Sequence, residues 1–240
     1  MHNTRKKGIV TLAFDDAYLD TYKYAIKYLD KLNIKSTIAV PTHFIGKNFE
    51  KRPVVGIKEL KDIASSGHEI ASHTVMHSNL LNLGSRSNTD LSREITESRQ
   101  TLQKLCKLRV SSFVFPYIIK NYSRSICLRT KAYYRSARIT LDKPCFNHIP
   151  LKNSFPVVGF SIMKRHSLRF LNKQVDHAKR QKLWLIEVFH LIGKKNTLSA
   201  HRPKPYRFFM HIDDFKRHVD YILSKDLLVL TQGDAVKRLG

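Results

Sequence analysis

Acidic residues are scarce in this 240-residue chain: 19 Asp+Glu stand against 43 Lys+Arg, a net charge of +24, and there are three cysteines and one tryptophan. The cysteines, Cys106, Cys127 and Cys145, are an odd number and form no Cys-x-x-Cys pair, which excludes a disulfide framework and a zinc ribbon and leaves each as a small buried hydrophobe. No uncharged run approaches the roughly 18 apolar residues of a membrane span. Met1 to Lys7 is basic, but the apolar stretch Ile9–Phe14 is short and stops at Asp15 and Asp16, so no export signal is read; that alone would suggest the cytoplasm, but a processed product would look the same, and the compartment is left open. Pro/Gly/Ser-rich linkers and internal repeats are missing too, so the expectation is a single domain over residues 1–240. At 42% hydrophobic, the chain is too apolar for a disordered basic tail. Its charge points to a polyanionic partner. Yet there is no helix-turn-helix signal, no RNP-like aromatic motif and no Gly-rich phosphate loop, so no specific nucleic acid is expected.

What the chain has is alternation. Apolar runs of strand length at Ile9–Phe14, Lys35–Val40, Glu69–Ala71, Ser111–Phe115, Tyr133–Ile139 (or Phe155–Ile162), Trp184–Phe189 and Leu227–Leu230 are separated by helical periodicity. The helical segments are Tyr18–Leu32, Ile57–Ser66, Thr89–Leu108, Ser167–Lys182 and Asp213–Ser224, with a short terminal helix from Thr231. Tyr24, Tyr28 and Leu32 mark one face of the first, and Gly67 suits the stop of the second. This pattern is that of a parallel α/β sheet or barrel. Leu141–Pro156 and Ile192–Phe209 read as irregular insertions.

Ionisable residues follow the predicted strands. Asp15 and Asp16 come directly after the first, His73 and His77 after the third, Pro116 and Tyr117 after the fourth, and His190 ends the sixth. In an α/β barrel, residues just past the carboxyl ends of strands converge on one face. Singly these signals are weak: an Asp pair can cap a helix, and His-x-x-x-His arises by chance among 12 histidines. Jointly, two imidazoles and one carboxylate form a three-ligand set that leaves metal positions open to water and substrate. A second carboxylate can then take a proton, and a histidine from another strand can give one. Those are the parts of a metal-dependent hydrolase of amides or esters. His43, His148, His166, His177, His201, His211 and His218 read as loop or surface residues.

At these residues the chain resembles the polysaccharide deacetylase family, the NodB-homology carbohydrate esterases. VTLAFDDAYLDTYKYAIKYLDKLNIKSTIAV is similar to the family's Thr-Phe-Asp-Asp-Gly motif with its helix and next strand, and GHEIASHTVMHSNL to its His-(Ser/Thr)-x-x-His motif. FVFPYIIKN and WLIEVFH resemble its third and last motifs, and DDFKRHVDYILSKDLLVLTQGDAV its closing helix and strand. The resemblance implies a distorted (β/α)7 barrel. It implies that Asp16, His73 and His77 bind a divalent metal, most often Zn2+, with Co2+, Ni2+ or Mn2+ as alternatives. Asp15 would be the general base and His190 the general acid. The Tyr117 backbone N–H, after Pro116, would help hold the oxyanion. The implied reaction removes an acetyl group from an N-acetylated glycan, and members of the family are often exported.

Departures from the pattern are specific. Ala13 and Ala17 replace the first motif's Thr and Gly, and Ile118 stands where a Gly is expected. Val114 stands where many members have an Arg, which removes a cation that would tune Asp15. No counterpart of the family's fourth motif lies between Asp142 and Ser161, so His190 lacks an assigned partner, and strand parity sends Glu187 to the opposite face. Two other readings remain: hydrolysis of another linear or cyclic amide on the same fold, or a basic non-catalytic module binding carbohydrate or polyanion. The charge is uneven, with 19 Lys+Arg and 11 Asp+Glu in residues 1–120 (+8) but 24 and 8 in residues 121–240 (+16). Lys194, Lys195, Arg202, Lys204 and Arg207 directly follow His190, and they lead us to expect an anionic substrate rimmed by these side chains.

Overall fold

Short runs rich in β-branched and aromatic residues, buried on both faces, alternate with amphipathic helices, and this alternation closes the chain into a barrel. The structure, a computed structural model, describes residues 7–84, 87–118, 123–151, 155–194 and 207–240. Its seven barrel strands are β1 (Ile9–Phe14), β2 (Thr37–Val40), β3 (Glu69–Ser72), β4 (Ser112–Ile118), β5 (Ser136–Leu141), β6 (Val157–Ser161) and β7 (Trp184–Phe189). All pair in parallel in chain order, and β7 closes on β1 along its full length, from Ile9↔Trp184 to Phe14↔Phe189. A short β8 (Leu228–Val229) lies against the start of β1, whose end pairs with β2.

The two faces of each strand bury different surfaces. Ile9, Ala13, Val157, Trp184, Ile186 and Val188 form one cluster, and the Trp184 indole N–H donates to Thr11 Oγ1 at 2.9 Å. The opposite parity, Val10, Leu12, Phe14, Leu185 and Phe189, packs with helical Ile26, Leu29, Leu171, Val175 and Phe215. Burying a side chain of this size contributes about 1.5–3 kcal/mol, so closure depends on both layers. Ser87, Ser123, Ser167 and Thr231 each cap a helix by accepting a backbone N–H. Gly67, at φ +81°, stops the Ile57–Ser65 helix, as expected.

Several sequence expectations need correction. The segments around Tyr133–Ile139 and Phe155–Ile162 are not alternatives: both supply barrel strands, paired from Arg138↔Val157 to Leu141↔Phe160. The Leu227–Leu230 run, counted among the seven, is the short eighth strand. Periodicity missed the Arg124–Lys131 helix, which is only eight residues long and buries Ile126, Cys127 and Thr130. The first helical stretch is Leu19–Thr21, a π-helical segment Tyr22–Ile26, then Lys27–Lys31; it buries Ala25, Ile26 and Leu29, while Leu32 is exposed. Cys127 alone of the cysteines is buried; Cys106 and Cys145 are partly exposed. His218 is no surface residue: it is fully buried, with Nε2 2.8 Å from Glu187 Oε2 and Nδ1 2.8 Å from Asn172 Oδ1.

Candidate metal and catalytic site

Asp15 and Asp16 leave the carboxyl end of β1, His73 that of β3, and His190 that of β7; β7 pairs with β1, and β3 lies beyond β2 on the other side of β1, so the closed barrel delivers them to one rim. The backbone there is bent hard. Among non-glycine residues, Asp16, Ala17, Thr74, His77 and Tyr117 all have φ between 50° and 70°. Left-handed backbone costs L-residues about 1–2 kcal/mol each, and such strain gathers where side chains must be re-aimed. In β4, the five residues from Val114 to Ile118 stand against only three of β5, Arg138 to Thr140, and this bulge turns Tyr117 out into the cavity while Pro116 stays buried beside it.

Asp16, His73 and His77 each present one ligand atom, and the three atoms lie within 4.8 Å of one another. Asp16 Oδ1 is 3.4 Å from His77 Nε2 and 3.7 Å from His73 Nε2. Both distances are long for hydrogen bonds, and Oδ1 is buried without a hydrogen-bond partner among the described residues. Donors on a tetrahedral ion with bonds of about 2.0–2.1 Å stand roughly 3.3 Å apart, so this set fits a zinc-sized cation. His73 Nδ1 lies 2.9 Å from the Val114 carbonyl; donating to it turns the bare Nε2 toward Asp16. Burial disfavours the imidazolium of His73 and, more strongly, of His77, where His73 adds to the effect and Asp15 opposes it. Neutral imidazoles are the ligating form. The Asp16 carboxyl is pushed well above its ordinary range by burial, then by Asp15 and Glu50, so it is the group most in need of a cation.

Asp15 has the opposite balance. Burial raises its carboxyl, but the Arg138 guanidinium, with His73 and His190, outweighs burial and holds it below the ordinary value. His190 is pushed down to about 4 by burial, with Asp15 opposing and His73, Arg138 and Arg207 reinforcing. Its Nδ1 has no hydrogen-bond partner among the described residues, and its ring stacks on Phe208 at 4.5 Å. As strand parity predicts, Glu187 faces away and pairs with His218 instead.

Asp15, Asp16, His73, His77 and His190 line one cavity of about 540 Å³ that also includes Glu50, Tyr117, Thr140, Asp142, Ser161, Arg207 and Phe208. Tyr117 is half exposed, with its ring 4.7 Å from that of His77. Of the expected cationic rim, Arg207 lines the cavity, while the Lys194 ammonium sits 5.9 Å over the Tyr24 ring. Lys195, Arg202 and Lys204 lie outside the described residues, as does His201. Sequence reasoning missed Arg138, Glu50, Asp142 and Phe208. Arg138 had a readable signal, a lone charge inside the otherwise uncharged strand Ser136–Leu141. Glu50 had none, because its place depends on a two-stranded hairpin, Asn48–Phe49 with Arg52–Pro53, that turns back over the rim.

Comparisons with known proteins bear on the family and the fold. The sequence profile of the polysaccharide deacetylases matches residues 2–133. The YxkH protein of Bacillus subtilis (strain 168), whose name assigns it to the polysaccharide deacetylases, is 27% identical over 107 residues, 45% of this chain and 36% of that protein. The match thus spans about a third of the relative's length. Among solved structures, the peptidoglycan N-acetylglucosamine deacetylase Bc1960 superposes with a TM-score of 0.61 at 18% identity, over 98% of this chain and 89% of that one. The Bacillus anthracis protein BA3943, described as a CE4 family pseudoenzyme, gives 0.61 at 12% identity, over 97% and 66%. Structural likeness at such identities establishes the distorted seven-stranded barrel and leaves activity to the site itself. On the profile match across more than half of its length, the chain belongs to the polysaccharide deacetylase family.

Proposed function

We propose that the protein is a metal-dependent deacetylase that hydrolyses N-acetyl groups on an amino-sugar polymer or oligosaccharide. The observation that carries this reading is the Asp16, His73 and His77 set opening into the same cavity as Asp15 and His190. Asp16, His73 and His77 would hold the ion, with zinc the best match to two imidazoles and a carboxylate. An ion held there would supply Lewis-acid chemistry, polarising an amide carbonyl and making water easier to deprotonate.

The chain's own residues do the rest. Asp15, kept ionised by Arg138, accepts the proton of the attacking water. The Tyr117 backbone N–H, carried to the rim by the bulge, donates to the oxyanion, with Pro116 shaping the turn. His190 gives a proton to the departing nitrogen. Burial makes its imidazolium costly, so the charged form depends on the Asp15 carboxylate in the same cavity. One water is consumed, and the products are acetate and the free amine.

We further propose that the substrate polymer carries negative charge. Arg207 lines the mouth, and a neighbouring groove of about 840 Å³ is bordered by Lys164, Arg165 and Arg169. Glu50 and Asp142 make the catalytic cavity itself mixed in sign, so the positive contribution comes from Arg207 and the groove beyond it, where three cations outnumber Asp214.

The test is an acetate-release screen on zinc-loaded protein, setting neutral chitooligosaccharides and anionic N-acetylated glycans against small linear and cyclic amides. Acetate from the glycans supports the reading, and turnover of the amides alone transfers the site to another substrate class. No turnover of any substrate by fully loaded protein would place the chain with the pseudoenzymes. Replacing Arg207 with Ala should weaken activity on anionic glycans selectively; equal effects on both glycan types would remove the charge claim.

A further inference from the structure

Arg138 is a fully buried cation in the wall of the barrel. Its Nη2 donates to Asp15 Oδ1, its Nη1 donates to Thr140 Oγ1 at 2.6 Å, and its Nε has no hydrogen-bond partner among the described residues. An isolated guanidinium in such surroundings costs several kcal/mol, so its place depends on the carboxylate it meets. The neighbouring strands are built around it. Gly159, opposite Thr140 across β5 and β6, has no Cβ; one added there would stand 3.0 Å from Arg138 Cδ and 2.8 Å from Val188 Cγ2. On the other side Val114 is the direct partner of Arg138 across β4 and β5, and it clusters with Ala39 and Ala71. Small apolar residues occupy that side, and among the described residues the buried guanidinium bonded to Asp15 comes from β5.

We propose that Arg138 is a positioning residue: it clamps one oxygen of Asp15 so that the other faces the reacting water, with Gly159 supplying the space the guanidinium needs. This places at position 138 the cation that the resemblance would put at Val114, one strand over at the same height. The inference rests on Asp15 being the proton acceptor of the proposed reaction. Thr140 accepts from the guanidinium's other amino group and so fixes its orientation.

The test compares wild type, Arg138→Lys and Arg138→Met as zinc-loaded proteins, reading kcat, KM and bound zinc together. The clamp predicts that Arg138→Met loses about 100-fold in kcat, the scale of a misplaced catalytic group, with KM and zinc content unchanged. Arg138→Lys should retain at least a tenth of the wild-type kcat. Wild-type kcat in Arg138→Met overturns the proposal, as does an equal loss in both variants or a loss that follows zinc content. If Arg138→Met fails to fold, Arg138→Gln is read by the same criteria. A double-mutant cycle in urea separates this claim from the function reading, because it needs no turnover. Arg138→Met should have an unfolding constant at least tenfold larger than Arg138→Met/Asp15→Asn, since the second change removes the stranded carboxylate; equal constants overturn the pairing even if no substrate is ever found.

Discussion

Glu187 and His218 offer the sharpest test of how the strand that carries His190 is held. Glu187 lies on β7, three residues before His190, and faces the helices; both its oxygens lie within 3.0 Å of His218 Nε2, and both residues are fully buried. Cutting Glu187 to Ala removes one partner and leaves a buried imidazole facing a void. Stranding a buried polar group costs about 1–3 kcal/mol and the void adds about 2 kcal/mol more, roughly 3–5 kcal/mol together. At about 2–4 °C per kcal/mol for a chain of this size, Tm should drop by roughly 6–20 °C. Removing both partners is different, because Glu187→Leu/His218→Leu fills the site with apolar volume and strands nothing, so its Tm should lie well above that of either single alanine variant. Glu187→Gln keeps an acceptor and should fall between wild type and Glu187→Ala. Scanning calorimetry on the metal-loaded protein reads all of these. A Glu187→Ala protein melting within 2 °C of wild type would refute the reasoning, and so would a double leucine variant as unstable as the two single losses added.

Three further outcomes follow from the same geometry. In metal-free protein Asp16 has a folded pKa above its unfolded value of 3.8, so it holds a proton that the unfolded chain has lost, and its contribution to stability falls as pH rises through that window. An added ion takes the proton's place, so the gain in Tm from zinc over a chelated control should grow as pH rises upward from 3.8; a gain independent of pH would contradict the ligand assignment. Replacing Gly159 with Ala crowds Arg138 and Val188 and should cost about 1–3 kcal/mol in urea denaturation while lowering kcat, and a neutral effect on both would show that the space is not needed. Lys51, exposed at the tip of the hairpin with φ 62°, should gain about 0.5–1 kcal/mol when replaced by Gly, checked by the same denaturation, because a left-handed turn residue prefers no Cβ.

The sequence carried the barrel because its strands are doubly buried and therefore read as unbroken apolar runs, as in Ile9–Phe14 and Trp184–Phe189. It also carried Asp15, Asp16, His73, His77 and His190, since each directly follows or lies just past such a run. What it hid depends on pairing between distant segments. That Tyr133–Ile139 and Phe155–Ile162 are both strands follows from their mutual register, which neither shows alone. His218 looked like a surface residue because its burial comes from Glu187 on a strand 31 positions earlier in the chain. Arg138 faces Asp15 across 123 positions, and only barrel closure brings the two together.

The central claim is that bound metal and amide hydrolysis belong to one site. The direct measurement is acetate release from an N-acetylated oligosaccharide, with zinc counted on the same samples, for wild type, chelated wild type and His77→Ala. Acetate release should track zinc content across all three and return when zinc is restored to the chelated protein. Undiminished acetate release from zinc-free His77→Ala, or none on any N-acetylated glycan from fully zinc-loaded wild type, would contradict it.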